Sequence, residues 1–244
     1  MSVRQCVAII LLSLAAAAPA SARMLYFRMD PVHSQVLVSV DHDGYSHPVG
    51  RMKIKAGWIG FDEDDWSTAK VVADVDAASV DFGDTDWNDA VTGKRFLDAK
   101  GFPLAHFEST STLMIARTPK ALEEDCHSTP AANRGTAWAC SNVAKKQPLF
   151  ILRGMLTLRG VSREIDFPVT FNRVGATIFS GMQTLAGFSA TANLDRTQFG
   201  MTAFPKAVGT QVKVRLEVEA ILDQDAQKQY EATLQKDADH AAQH

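Results

Sequence analysis

Hydrophobic and polar residues alternate along several segments of this chain. In residues 211–222 apolar side chains occupy every second position, opposite a row of Lys, Arg and Glu. Residues 164–171 repeat the pattern, with Phe167 and Phe171 on the apolar side. Because successive side chains of a β-strand point to opposite faces, these runs predict strands with one apolar and one polar face.

The other alternating runs are shorter and extend over most of the chain: residues 36–40, 52–56, 71–75, 104–115, 150–158 and 182–194. Many half-apolar strands in one chain must bury their apolar faces together, which predicts an all-β barrel or sandwich. Alternation stops between residues 85 and 100, where Asp84 or Thr85 is placed to cap a short helix.

The inward phase of the predicted strands carries a large apolar set: Met52, Ile54, Phe107, Leu152, Leu156, Phe167, Phe171, Phe188, Val214 and Leu216. These side chains can fill a barrel as core or line a cavity, because an eight-stranded barrel is just wide enough for either arrangement. The small residues Ala73, Gly154, Ala190 and Ala192 share the inward phase and favour some empty space.

The first 22 residues have the pattern of a secretory signal peptide. Arg4 precedes an apolar stretch over residues 7–18, and Ala20-Ser21-Ala22 forms a small-residue cleavage site before Arg23. The stretch is shorter than the roughly 20 residues that cross a bilayer, so a retained anchor is the weaker interpretation. We therefore expect a periplasmic protein. With a net charge of −3 and no Lys/Arg cluster, nothing indicates a nucleic-acid partner.

Residues 117–148 interrupt the strand pattern with a long excursion that contains Cys126 and Cys140. In an exported protein these two cysteines predict a disulfide that ties the loop down, the alternative being two free thiols. Residues 223–244 are polar, and Ala226, Tyr230, Leu234 and Ala238 recur every four positions. This spacing predicts a surface helix or a frayed tail.

Four blocks of residues, in order, carry a family resemblance. They are Asp30-Pro31-x-His33-Ser34 with His42-x-Gly44; Phe96-Leu97-Asp98, Phe102-Pro103 and Phe107-x-Ser109-Thr110; Gly154-x-Leu156-Thr157-Leu158-Arg159-Gly160-Val161; and Gly187-Phe188-x-Ala190, Leu194-Asp195-Arg196 and Phe199-Gly200. The chain resembles the YceI-like family of exported lipid-binding proteins. The long excursion and the polar tail depart from that family's pattern.

The resemblance implies an eight-stranded antiparallel, lipocalin-like barrel over residues 23–222, with one or two short helices. It also implies a cavity for a polyisoprenoid, an isoprenoid quinone or a similar long-chain amphiphile. It brings no catalytic residue and no cofactor other than such a bound lipid. The inward apolar set then becomes the predicted ligand contact surface, joined by Arg196. Arg196 is a candidate for the polar head of the ligand, because its forked donors suit oxygen atoms, or for a structural ion pair or cap.

A metal site at His33, His42 and His47, near Asp41 and Asp43, is not expected, since no ligand spacing typical of zinc is present. Two other functions stay open at this point. The chain could dock on an envelope protein or a membrane redox partner, or it could be an enzyme that acts on such a lipid. The sequence predicts no oligomeric state.

Overall fold

A computed structural model describes residues 24–115, 150–176 and 178–241. Its strands are β1 (Leu25–Met29), β2 (Gln35–His42), β3 (Val49–Phe61), β4 (Lys70–Asp81), β5 (Leu104–Met114), β6 (Phe150–Leu158), β7 (Val161–Ala176), β8 (Thr184–Asp195) and β9 (Val208–Leu222). Helix α1 spans Thr85–Thr92 and helix α2 spans Ala226–Ala241. Short 3-10 helices lie at Trp66–Thr68, Ile178–Ser180 and Arg196–Phe199. Within these residues, no helix is both long and apolar enough to cross a membrane.

The strands form one antiparallel sheet that closes on itself. The order β3-β2-β9-β8-β7-β6-β5-β4 is completed by pairing between β4 and β3. β1 and β2 both pair with β3 and β9, one after the other along the length of those strands. Together they therefore make up one of the eight strand positions in the barrel wall. The predicted eight-stranded antiparallel barrel is therefore confirmed.

The break between β1 and β2 is made by the first block of the family resemblance. The Asp30 carboxylate accepts a hydrogen bond from the Val32 amide at 2.8 Å, which holds the turn. The Ser34 hydroxyl then donates to the Glu219 carbonyl at 3.0 Å and accepts from the Glu219 amide at 3.1 Å. Ser34 thus keeps the barrel wall connected to β9 where the backbone ladder is interrupted.

The alternating run over residues 52–56 predicts that Met52, Ile54 and Ala56 share one face, and this is wrong for Ala56. Met52 and Ile54 point into the barrel. Between Ile54 and Ala56 the register shifts, because β3 has one more residue than β4 over this interval. A bulge of this kind exchanges the inner and outer faces of all later residues. Ala56 therefore packs on the outside, together with the buried ring of Trp58.

Helix α2 docks on the outer face of the barrel beside Trp58. Ala226 and Tyr230 are buried there, and the Tyr230 hydroxyl donates to the Asp74 carboxylate at 2.9 Å. The second oxygen of Asp74 accepts from Nδ1 of His106 at 2.8 Å. The buried Asp74 carboxylate therefore has two partners, one on β5 and one on α2.

This arrangement predicts a pH dependence of stability. The hydrogen bond to Asp74 raises the pKa of His106 above its ordinary value of 6.5, and partial burial opposes that effect only in part. The negative charge of Glu108 raises the pKa of His106 further. A raised folded-state pKa means that the stabilisation is complete below pH 6.5 and is lost as the pH rises through the folded pKa. Tyr230 faces the same pair, and its own pKa is raised by burial and by Asp74.

We expect the unfolding free energy of the wild type to be higher than that of His106→Asn by at most about 1 kcal/mol at about pH 5.5. The difference should be smaller at about pH 8. Urea unfolding of both proteins across this range measures the difference. A difference that grows with pH would contradict the proposed role of the His106–Asp74 pair.

Three predictions fall outside the described residues. They are the signal peptide over residues 1–22, the excursion over residues 117–148, and the disulfide between Cys126 and Cys140. The described strands are mostly longer than the alternation predicted: β7 extends to Ala176 rather than Phe171, and β9 begins at Val208 rather than Gln211. Residues 226–241, inside the predicted polar tail, form α2.

Candidate ligand cavity

The barrel encloses a cavity of about 470 Å³. Its walls are almost entirely apolar. The predicted contact residues that line it are Met52, Ile54, Phe107, Leu152, Leu156, Phe167, Phe188, Val214, Leu216 and Arg196. The volume lies within the roughly 300–1,000 Å³ range of ligand pockets in proteins. The sequence therefore identified much of the wall, although a ligand contact at each residue is still a prediction.

Two inward residues have roles different from the predicted ones. Phe171 does not line the cavity; it packs against Trp66 with a ring-centroid distance of 4.8 Å. Gly154 does not leave empty space, because a Cβ atom there would lie 2.5 Å from the Phe107 ring. The Phe107 ring occupies the space that a side chain at residue 154 would need. Ala73 and Ala190 border the cavity, as their small size suggested, whereas Ala192 is not among its lining residues.

One end of the cavity is closed by stacked aromatic rings; we call it the Trp66 end. Trp66, on the 3-10 helix between β3 and β4, is only 2% exposed. Its ring stacks on Phe61 at 4.6 Å, and Phe61 in turn stacks on Phe27 at 5.1 Å. Phe150 approaches Trp66 from β6 at 5.8 Å. These rings form a floor to the cavity.

The opposite end, which we call the α1 end, carries α1 and the connection from β8 to β9. The predicted helix cap is confirmed at Asp84, whose carboxylate accepts from the Trp87 amide at 3.0 Å. The Trp87 ring, on α1, reaches the cavity and contacts His42 at a centroid distance of 5.4 Å. The charged or strongly polar lining residues, Ser39, His42 and Arg196, lie toward this end. The cavity is therefore apolar at its floor and partly polar near the α1 end.

Arg196 is the buried cation of the cavity wall, only 3% exposed. Its Nε donates to the Gly209 carbonyl at 2.8 Å, and its Nη2 donates to the carbonyls of Ala203 and Val208 at 2.9 and 2.7 Å. Its Nη1 donates to the Met201 carbonyl. Arg196 therefore holds the connection between β8 and β9 against the barrel, and most of its donors are occupied by backbone.

The neighbouring Asp195 does not form a direct hydrogen-bonded pair with Arg196. It caps the 3-10 helix, accepting from the Thr197 amide and hydroxyl at 2.9 and 2.7 Å, and these bonds lower the pKa of Asp195. Burial lowers the pKa of Arg196, and the charge of Asp195 partly opposes this. The Arg196 charge is thus balanced chiefly by carbonyl oxygens beside an apolar cavity.

Sequence reasoning missed the residues at both ends of the cavity. Trp66 follows the acidic turn Asp62-Glu63-Asp64-Asp65, which has the composition of an exposed loop. Phe96 and Phe204 lie outside the strands, where no alternation marks a buried side, yet both line the cavity. A large aromatic residue within a polar connection was the available signal. Within the described residues, no group of three or more His, Cys, Asp or Glu side chains is placed to hold a metal ion.

Sequence comparison finds relatives for most of the chain. A protein of the UPF0312 group from Pseudomonas fluorescens is 29% identical over 168 residues, which cover 69% of this chain and 71% of the relative. A UPF0312 protein from Vibrio cholerae is 24% identical over 189 residues, covering 78% of this chain and 82% of the relative.

Solved structures share the fold. BcnA from Burkholderia cenocepacia superposes with a TM-score of 0.59 at 21% identity, covering 79% of this chain and 99% of BcnA. A polyisoprenoid-binding domain from Saccharophagus degradans, implicated in plant cell wall breakdown, gives a TM-score of 0.50 at 11% identity, with 82% of this chain and all of that domain covered.

The sequence model of one domain family accounts for nearly the whole barrel. The YceI-like domain matches residues 27–220, from within β1 to a position two residues before the end of β9. The match extends across the wall, the floor and the Arg196 connection of the cavity. The chain belongs to the YceI-like family.

Proposed function

We propose that this protein binds a polyisoprenoid, an isoprenoid quinone or a similar long-chain amphiphile inside its barrel, and that it does so in the periplasm after export. The observation that carries the proposal is the apolar cavity of about 470 Å³, which runs from the aromatic floor to the α1 end. The polyisoprenoid-binding domain from Saccharophagus degradans, which shares this fold, supports the ligand class.

Burial of the hydrocarbon tail would supply most of the affinity. Each buried methylene contributes about 0.8 kcal/mol, so ten of them contribute about 8 kcal/mol of transfer free energy, part of which offsets the cost of immobilising the ligand. The same arithmetic makes release into water slow, because exposing twenty carbons would cost about 16 kcal/mol. Lipids of similar length should therefore compete for the cavity.

The polar part of the ligand would lie toward the α1 end. The Arg196 charge is close to that end, whereas the floor consists of Trp66 and other rings. A phosphate or a quinone carbonyl is stabilised by such a cation in a poorly solvated site. A fully apolar floor is suited to the tail terminus. We therefore expect one orientation of the bound lipid, head toward α1.

Loading of delipidated protein tests this function. We expect native mass spectrometry to show one lipid per chain after incubation with ubiquinone or with a polyprenyl phosphate. A quinone head group at the α1 end should also quench the fluorescence of Trp87, whose ring reaches the cavity there. Protein that stays empty with both lipids, and that carries no lipid when purified from the periplasm without detergent, would contradict the proposal.

A further inference from the structure

The cavity wall continues into exposed aromatic surface at the α1 end. Two lining residues, Trp87 and Phe204, are 40% and 51% exposed, so each has one part in the cavity and one part in solvent. Tyr45, on the turn after β2, is 87% exposed and does not line the cavity. Its amide donates to the carbonyl of the lining residue His42 at 3.0 Å, which places the turn at the rim.

The two exposed lining rings are held by their surroundings. Trp87 is fixed by the capped helix and contacts Phe82 at 6.2 Å. Phe204, on the opposite connection, lies 6.3 Å from the ring of Phe96, and the Arg95 guanidinium lies 5.4 Å from the Phe204 ring. The rim of the cavity is therefore an ordered apolar border.

The rim carries charges of both signs. The Phe204 side carries the exposed cations Lys94, Arg95 and Lys206. Acidic residues lie at the start of α1, Asp84 and Asp86, and Asp43 lies on the Tyr45 turn, where its amide donates to the Ala207 carbonyl at 2.7 Å. Aromatic rings next to Lys and Arg are the composition of protein surfaces that lie in the headgroup region of a bilayer. The Phe204 side thus suits anionic lipid phosphates.

We propose that the α1 end docks on the surface of a lipid bilayer and that the ligand passes directly between membrane and cavity. This inference rests on the proposed function, because a tail too apolar to cross water must leave the cavity into another apolar phase. The exit at the described surface is the α1 end, since the stacked rings of Trp66 and Phe61 close the other end. Continuity of the rim with the cavity wall favours a fluid bilayer as the occupant.

Vesicle co-sedimentation of the lipid-free protein tests the docking surface. The vesicles contain phosphatidylcholine and phosphatidylglycerol, and the variant is Tyr45→Asp/Lys206→Glu, which changes two rim residues outside the cavity lining. The matched control, Phe179→Asp/Lys70→Glu, makes the same charge change at the Trp66 end, where Phe179 is 96% exposed.

We expect the rim variant to reduce vesicle binding by about tenfold or more, and the control to bind within about twofold of the wild type. Ubiquinone loading, followed by native mass spectrometry without vesicles, should be unchanged in both variants. Equal loss in the control, loss in the control alone, or a wild type that loads ubiquinone but does not sediment with vesicles would overturn the docking proposal.

The two proposals fail in different ways. Sedimentation of a wild type that takes up neither ubiquinone nor polyprenyl phosphate would keep the docking surface and reject the lipid-binding function. Loading without sedimentation keeps the function and rejects the surface.

Discussion

The double variant Ala73→Phe/Ala190→Phe should lose lipid binding while the barrel stays folded. Ala73 is on β4 and Ala190 is on β8, and these strands are four positions apart in both directions around the barrel. The two added rings would therefore project into the cavity from opposite walls. Each ring takes the space of about six tail carbons, worth about 5 kcal/mol of burial, so affinity should fall by at least about 1,000-fold.

The free energy of unfolding of the Ala73→Phe/Ala190→Phe variant should change little or increase. Filling an existing cavity commonly raises the unfolding free energy by about 0.5–2 kcal/mol, whereas overfilling a packed core lowers it. The control is Thr191→Phe/Ala78→Phe, which adds two rings at exposed positions on the same two strands. Lipid loading and urea unfolding are measured for both variants. Undiminished loading of the Ala73→Phe/Ala190→Phe variant would mean that the lipid does not occupy the cavity.

Replacing Arg196 by Met should destabilise the protein by about 4 kcal/mol, because the change leaves buried carbonyl oxygens without donors. The affected carbonyls belong to Met201, Ala203, Val208 and Gly209. Arg196→Lys should recover only part of the loss, since one ammonium group cannot reproduce the planar fork.

Chemical unfolding separates this structural role from a role in ligand contact. Arg95→Met is the control. Because Arg95 is exposed, its replacement should change the unfolding free energy by no more than about 0.5 kcal/mol. If Arg196→Met has wild-type stability but weaker binding of polyprenyl phosphate, Arg196 serves the ligand and not the connection between β8 and β9.

Strand periodicity predicted the barrel wall well because it is a local property. Side chains alternate along β6 and β9 without interruption, so Leu152, Leu156, Val214 and Leu216 could be assigned to the inside from the sequence alone. The alternation no longer separates inward from outward side chains at Ala56, where a bulge adds one residue to β3. A bulge leaves no mark in the pattern of apolar residues that separates it from a strand end.

The shape of the cavity depends on contacts between distant segments, which the sequence pattern does not contain. Gly154 marks a close approach of the Phe107 ring rather than a void, and this requires knowledge that β5 pairs with β6 at that register. Trp66, one of the rings that form the floor, lies in a turn of polar composition. The end at which the cavity opens could not be predicted, because both ends carry exposed apolar side chains.

A high-resolution crystal structure of protein purified from the periplasm without detergent tests the central claim most directly. The account predicts one continuous, elongated electron density inside the barrel, with its narrow end against Trp66 and its polar end near Arg196. A lumen packed with side chains, or one occupied by ordered water after incubation with ubiquinone, would contradict it.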